Sequence, residues 1–88
     1  MYYVYILRSA VDHSFYKGYT ENPCQRLLQH NNGESAYTRK KIPWELVYVE
    51  LFSSKKEALI REKNLKKATI QRIEALIAHP KNIVRLFG

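Results

Sequence analysis

The first strand-forming segment, YYVYIL at residues 2–7, limits the fold more than any other part of the sequence. It consists of aromatic, β-branched and leucine residues with no polar position between them. Such residues favour strands, and the absence of polar alternation indicates a strand that is buried on both faces. Because successive side chains alternate across a strand, Tyr3, Tyr5 and Leu7 are expected on one face and Val4 and Ile6 on the other.

Capping and turn residues divide the rest of the chain. Asn22-Pro23 pairs an N-cap with a proline at the first helical position, Ser54 begins an S-x-x-E capping box, and Thr69 is a third N-cap. The predicted elements are strands at 2–7, 15–19 and 44–52 and helices at 23–30, 55–67 and 70–79. The order β-β-α-β-α-α predicts an α/β (α+β) fold in which a small sheet, its first pair antiparallel, is covered by helices.

Apolar periodicity predicts which side of each element faces the core. The inward stripes are Cys24, Leu27 and Leu28 in the first helix, Ala58, Leu59 and Leu65 in the second, and Ile70, Ile73, Leu76 and Ile77 in the third. Alternation places Leu46, Tyr48 and Phe52 on one face of the third strand and Val47, Val49 and Leu51 on the other. The apolar tail Ile83–Phe87 is expected to dock on the body of the protein.

The size and composition of the chain fit one domain over residues 1–88. Hydrophobic residues make up 45% of its 88 residues, which is enough for a core and excludes disorder. The single cysteine, Cys24, excludes an internal disulfide, and the irregular spacing of His13, His30 and His79 does not form a zinc motif. With no membrane span and no signal peptide in the pattern, a cytoplasmic protein with no membrane partner is expected.

The charge of the chain is strongly basic, with 15 lysines and arginines against 8 acidic residues and a formal net charge of +7. The basic residues concentrate at 55–72 and at Arg39-Lys40-Lys41. One interpretation is a solvated surface that keeps the chain soluble, and the other is a surface that binds the phosphates of nucleic acid. The residues expected to contact nucleic acid are Lys17, Arg39, Lys40, Lys41, Lys63, Lys66 and Lys67.

Two of the seven tyrosines stand out. Tyr5 and Tyr16 lie on neighbouring strands of the predicted hairpin and can project to one face, and Gly18 is expected to leave room beside Tyr16. Each tyrosine taken alone is more simply a core residue. Together, two phenols over a glycine hollow can bind a ligand.

Two helical features also depart from ordinary packing. Glu62 lies four residues after Ala58 and three before Leu65, so it falls on the inward stripe and must be ion-paired, bound to a metal or used as an acid or base. Arg26 and His30 share a helix face at a spacing of four. They form either a solvated polar face or a guanidinium and an imidazole presented together to a phosphate.

The order and spacing of these residues resemble the GIY-YIG nuclease family. The paired motifs are Val4-Tyr5-Ile6 and Tyr16-Lys17-Gly18, and they are followed by Arg26, by His30 one turn later and by Glu62. The resemblance extends from residue 2 to about residue 77. It is greatest to the small, stand-alone bacterial members related to the GIY-YIG domain of the excinuclease C subunit.

This resemblance implies a three-stranded antiparallel sheet flanked by helices and a hydrolysis of phosphodiester bonds that uses one metal ion. Glu62 would hold one weakly bound Mg²⁺ or Mn²⁺, Arg26 would offset charge on the phosphate, and Tyr16, with Tyr5 or His30 assisting, would orient and deprotonate water. Any of these phenols needs a lowered pKa to act as the base, and the choice between Tyr5, Tyr16 and His30 stays open. All five residues are expected on one concave face.

The function that these residues favour is a metal-dependent DNA endonuclease in repair or recombination. Its partners would be branched or damaged duplex DNA and a recruiting protein, and the chain is expected to be a monomer. One alternative is a non-catalytic nucleic-acid-binding module of the same fold. Another is a protein-interaction domain that docks through the tail Ile83–Phe87.

Overall fold

All three helices begin at the caps that the sequence predicts. In the computed structural model, which describes residues 1–87, the side chains of Asn22, Ser54 and Thr69 each accept a hydrogen bond from the backbone N–H three residues on. The helices are α1 (Pro23–Asn31), α2 (Lys55–Lys66) and α3 (Ile70–Ile77), the strands are β1 (Tyr2–Ser9), β2 (Phe15–Thr20) and β3 (Trp44–Phe52), and 3₁₀ turns cover Arg39–Lys41 and Val84–Phe87. The predicted element order and α+β class are confirmed. Across residues 1–87, the helices are too short and too polar to cross a membrane.

β1 is the central strand of an antiparallel sheet with the order β2-β1-β3. Its position explains why the segment lacks polar alternation, because neighbouring elements cover both of its faces. Val4 and Ile6 are fully buried on one face, and Tyr5 and Leu7 are buried on the other. The predicted division of the β1 side chains between the two faces is therefore correct.

Helices cover both faces of the sheet and give the protein three layers. On one face, Val4 and Ile6 pack against Ala58 and Leu65 of α2 and Ile73 of α3. On the other face, Tyr5, Leu7 and Trp44 pack against Leu27 of α1. We refer to these as the α2 face and the α1 face of the sheet.

β3 departs from simple alternation at a bulge. Ile6 and Leu7 of β1 pair with Tyr48 and Leu46, so Val47 is an extra residue in β3. Tyr48 and Val47 both join the core of the α2 face, whereas Leu46 packs on the α1 face. The prediction that Leu46 shares a face with Tyr48 is wrong, because one inserted residue reverses the alternation that follows it.

The predicted inward stripe is wrong for α1, whereas in α2 and α3 most of the predicted residues are buried or half-buried. Four residues that were expected to face the core are exposed: Cys24, Leu28, Leu59 and Ile70. In α1 the buried residues are Pro23 and His30, with Arg26 and Leu27 half-buried. The side of α1 that carries Arg26 and His30 thus faces the sheet, because hydrogen bonds inside the protein satisfy the buried imidazole.

The tail after α3 is fixed to the outer edge of β3 by Asn82. Its side chain accepts from the backbone N–H of Val49 at 3.1 Å and donates to the carbonyl oxygens of Val47 and Ile77, both at 2.9 Å. The backbone N–H of Ile83 donates to the carbonyl oxygen of Val49 at 3.2 Å. The tail therefore docks on the body as expected, and it closes the middle of this sheet edge.

Candidate functional site

The phenol of Tyr5 lies directly over Gly18. The two residues are partners in the β1–β2 ladder, and a side-chain carbon at position 18 would lie 2.6 Å from the Tyr5 hydroxyl oxygen. The strand tolerates the ring only because its partner has no side chain. Gly18 therefore makes room for Tyr5 rather than beside Tyr16 as the sequence predicted, because opposing residues of an antiparallel pair share a face.

His30 links Tyr5 to Thr38 in a buried chain of hydrogen bonds. The Tyr5 hydroxyl lies 3.0 Å from Nε2 of His30, and Oγ1 of Thr38 lies 2.8 Å from its Nδ1. Tyr5 is 1% exposed, and His30 and Thr38 are 0% exposed. The sequence predicted Tyr5 and His30 as site residues but not Thr38, which reaches the imidazole only because the loop after α1 folds back.

Tyr16 stands between this buried chain and a surface groove. Its ring centre is 4.8 Å from that of His30, 6.3 Å from that of Tyr5 and 5.9 Å from that of Tyr37. The groove has a volume of about 430 Å³ and is lined by Phe15, Tyr16, Lys17, Tyr37 and Lys66. Tyr16 is half-buried and Tyr37 is mostly exposed, so the groove gives solvent and ligands access to Tyr16.

Burial and Arg26 set the protonation of the Tyr5–His30 pair. Burial, together with the nearby Arg26 guanidinium, lowers the pKa of His30 from 6.5 to about 4. Burial raises the pKa of Tyr5, Tyr16 adds to this effect, and Arg26 opposes it. At neutral pH the imidazole is therefore neutral and the phenol is protonated. A protonated phenol can donate to Nε2, and in that tautomer Nδ1–H donates to Oγ1 of Thr38.

Glu62 comes from the opposite layer of the protein. α2 packs on the α2 face, whereas Tyr5, Tyr16 and His30 pack together on the α1 face. The expectation that all five site residues lie on one concave face stays a prediction for Glu62, because its helix packs on the α2 face while its neighbour Lys66 lines the groove beside Tyr16. Its carboxylate nevertheless contributes, as the smallest cause, to the raised pKa of Tyr5. The two layers approach each other at β2, because β2 is an edge strand and α2 packs against it.

Glu62 is the candidate metal ligand. In the part of the chain that the structure describes, histidine, cysteine and acidic side chains form no cluster of three or more that could hold an ion. The Glu62 side chain is 16% exposed, and its ion pair with Lys66 is long, at 3.8 Å. One carboxylate completed by water and phosphate oxygens suits Mg²⁺, so this residue fits a weakly held ion better than a closed metal site.

The predicted phosphate-binding residues differ in their availability. Lys17 and Lys66 line the groove, and burial lowers the pKa of Lys17. Lys41 instead contacts Asp12 at 3.0 Å and Oγ of Ser14 at 3.2 Å, which ties the 3₁₀ turn to the β1–β2 loop. The remaining four, Arg39, Lys40, Lys63 and Lys67, are exposed. Lys41 is therefore a weaker candidate for DNA contact than the sequence indicates.

Comparison with known proteins places these features in context. Residues 1–74 match the family model of the GIY-YIG catalytic domain. A UPF0213 protein of Natronomonas pharaonis is 44% identical over 78 residues, which cover 88% of this chain and 91% of that protein. A UPF0213 protein of Clostridium perfringens is 50% identical over 70 residues, covering 78% and 74%. The solution NMR structure of a UPF0213 protein from Bacillus halodurans matches with a TM-score of 0.59 and 35% identity, over 96% of this chain and 90% of that one.

Proposed function

Because this chain belongs to the GIY-YIG family of nuclease catalytic domains, we propose that it is a DNA endonuclease that hydrolyses phosphodiester bonds with one divalent metal ion. The observation that carries the proposal is the hydrogen bond between the buried phenol of Tyr5 and a neutral His30, beside Tyr16 and the groove. A neutral imidazole that accepts from a phenol is suited to moving a proton. Buried polar groups need hydrogen bonds for packing as well, so what favours catalysis is the position of this pair beside Tyr16 and a groove lined by two lysines.

The attacking water loses its proton through the Tyr5–His30 pair. Tyr16 lines the groove and orients the water. Tyr5 keeps its own proton at rest because burial raises its pKa, so it acts as a relay rather than as the resting base. It takes a proton from the water as it passes its own to Nε2 of His30, which is free to accept because its pKa is lowered to about 4.

Arg26 links substrate binding to the basicity of His30. Its guanidinium has the geometry to bind a phosphodiester and to offset the charge that develops during hydrolysis. The same guanidinium helps to lower the pKa of His30 in the free protein. A bound phosphate neutralises Arg26, so the pKa of His30 rises and the imidazole becomes a better proton acceptor when substrate is present.

Glu62 is the residue that would hold Mg²⁺ or Mn²⁺, and such an ion supplies a Lewis acid for the leaving oxygen. Lys66 lies beside Glu62 and also lines the groove, so it can balance the carboxylate and contact a phosphate. The groove offers lysines rather than a built surface for reading base edges, which indicates little sequence preference. As part of this proposal, the substrate is branched or damaged duplex DNA in repair or recombination, and the protein acts as a monomer with the help of a recruiting protein.

A second candidate function is a non-catalytic nucleic-acid-binding module. The observation that favours it is the position of Glu62, whose helix packs on the α2 face and whose carboxylate has the ammonium of Lys66 at 3.8 Å as a counter-charge. In this case the groove binds DNA, but the Tyr5–His30 pair has no metal-bound substrate to act on. The two candidates differ in cleavage and not in binding.

The test is a cleavage assay on branched, flapped and plain DNA with Mg²⁺ or Mn²⁺, using Glu62→Gln and the control Glu74→Gln. Glu74 is an exposed carboxylate on α3, so its substitution makes the same charge change away from the site. Glu62→Gln should lower the cleavage rate by at least about 100-fold, since a metal ion contributes several kcal/mol to such a step. Binding should be kept and Glu74→Gln should behave as wild type. Binding without cleavage by wild type in either metal selects the second candidate.

A further inference from the structure

We propose that Thr38 is a positioning residue of the cleavage reaction, which fixes the tautomer of His30 so that Nε2 can accept the proton of Tyr5. The inference rests on the proposed function and adds a residue that acts through His30 rather than on the substrate. Thr38 lies in the segment between α1 and β3 and is fully buried. Its Oγ1 is 2.8 Å from Nδ1 of His30.

The tautomer decides whether the relay can work. A neutral imidazole carries its proton on one nitrogen and accepts a hydrogen bond on the other. With the proton on Nε2, which isolated histidine favours, His30 cannot accept from Tyr5. An acceptor placed at Nδ1 holds the proton on that nitrogen and leaves Nε2 free. Oγ1 of Thr38 lies 2.8 Å from Nδ1, and a hydroxyl oxygen at this distance can accept from Nδ1–H while the Tyr5 hydroxyl donates to Nε2.

The surrounding contacts hold Thr38 at a fixed distance from the imidazole. Nε1 of Trp44 donates to the carbonyl oxygen of Thr38 at 2.9 Å. Trp44 is in turn held by Asn31, which accepts from its backbone N–H at 2.7 Å and donates to its carbonyl oxygen at 3.0 Å. Asn31 follows His30 in α1, so the contacts form a closed circuit from α1 through β3 and back to Thr38. The circuit keeps Oγ1 aligned with Nδ1.

A purely structural role for the hydroxyl makes a different prediction. Oγ1 also satisfies a buried polar nitrogen, and this alone would justify a threonine at position 38. If that were its whole role, removal of the hydroxyl would lower stability and leave the proton of His30 where it was. A positioning role requires that the proton move to Nε2 and that the cleavage rate fall with it.

The experiment compares Thr38→Val, which removes the hydroxyl, with Thr38→Ser, which keeps it. The control is Thr69→Val, which removes the cap of α3 and lowers stability far from His30. The readouts are the tautomer of His30, from nitrogen–proton correlation NMR of histidine-labelled protein near neutral pH, and the kcat for DNA cleavage. Thr38→Ala serves as the second hydroxyl-free variant if the valine form does not fold.

We expect the Nδ1–H tautomer in wild type, in Thr38→Ser and in Thr69→Val. Thr38→Val should shift His30 to Nε2–H and lower kcat by about 10- to 100-fold, the usual effect of losing a partner that orients an active-site histidine. An Nε2–H tautomer in wild type overturns the inference. So does a hydroxyl-free variant that keeps Nδ1–H or the wild-type kcat. If wild type cleaves no DNA, the proposed function fails, while the tautomer comparison still decides whether Thr38 orients His30.

Discussion

Burial of a neutral His30 couples the stability of the protein to pH. The pKa of His30 is about 4 in the folded chain against 6.5 ordinarily, so below pH 6.5 the unfolded chain takes up a proton that the folded chain refuses. Stability from this residue is complete above pH 6.5 and is lost as the pH falls towards 4, by up to about 3 kcal/mol. Urea unfolding measured across this window should show the loss.

The matched variants for this prediction are His30→Gln and His79→Gln. Glutamine at position 30 cannot take up a proton, so the unfolding free energy should become flatter between pH 6.5 and 4. His79 is exposed, and its replacement should leave the pH dependence unchanged. Equal slopes for wild type and His30→Gln would show that other groups cause the acid sensitivity.

Part of the site can be predicted residue by residue, and part cannot. Hairpin pairing and a helical spacing of four are local rules, which relate Tyr5 to Tyr16 and Arg26 to His30. The contact between His30 and Tyr5 depends on the polar side of α1 packing on the sheet, which these rules do not predict. Which residue lies over Gly18 depends on the register of the β1–β2 ladder, and the sequence of the hairpin loop does not predict that register. Thr38 could not be found because its contact with His30 depends on how the intervening loop folds, and no spacing rule describes that.

At the scale of elements, Arg61 adds a polar contact between α2 and β3, one residue before Glu62. Its Nε lies 2.9 Å from Oε1 of Glu50, which also accepts from the Tyr48 hydroxyl at 2.8 Å. Arg61→Met should lower the unfolding free energy by about 1 kcal/mol, because the pair is partly exposed and screened. It should also lower the cleavage rate, since α2 then loses its polar contact with β3 next to Glu62.

Lys56→Met is the control for this prediction. It removes an exposed cation from the same helix, outside the residues expected to contact nucleic acid, and should leave both stability and the cleavage rate near wild type. Unfolding in urea and the cleavage assay measure the two effects. A loss of cleavage with Lys56→Met as large as that with Arg61→Met would mean that charge, rather than the anchoring of α2, is responsible.

Element boundaries were more predictable than element faces for a physical reason. A cap such as Asn22 or Ser54 acts on backbone groups within one turn, so the start of a helix is visible locally. The face that a helix buries depends on its partner. In α1 the polar side is buried because Tyr5 and Thr38 satisfy His30, and in β3 the bulge at Val47 reverses the alternation.

For the whole molecule, the basic surface predicts DNA binding that weakens steeply with salt. The net charge of the chain is +7. We expect Lys17 and Lys66 in the groove, together with exposed residues such as Lys40 and Lys63, to make about four to six contacts with phosphates. The slope of log affinity against log salt should then be about −3.5 to −5.5. Fluorescence anisotropy of labelled duplex in a salt series measures it.

Lys40 and Lys41 provide a matched pair within this surface. Lys40→Gln should flatten the slope by about one unit. Lys41→Gln should change it less, because Asp12 and Ser14 already hold this side chain. A slope near zero for wild type would mean that these lysines do not contact phosphates and serve only to keep the protein soluble.

The closed edge of β3 has a consequence for how the protein behaves in concentrated solution. Asn82 and Ile83 occupy the middle of that edge, so another copy cannot add a strand there. Within residues 1–87, β2 has no strand on its outer side, and it is the strand that borders the groove. Mutual repulsion between copies of charge +7 protects this side, and high salt screens that repulsion. Concentrated solutions of the protein should therefore precipitate sooner at high ionic strength than at low ionic strength. A polyanion bound along β2 should prevent this precipitation.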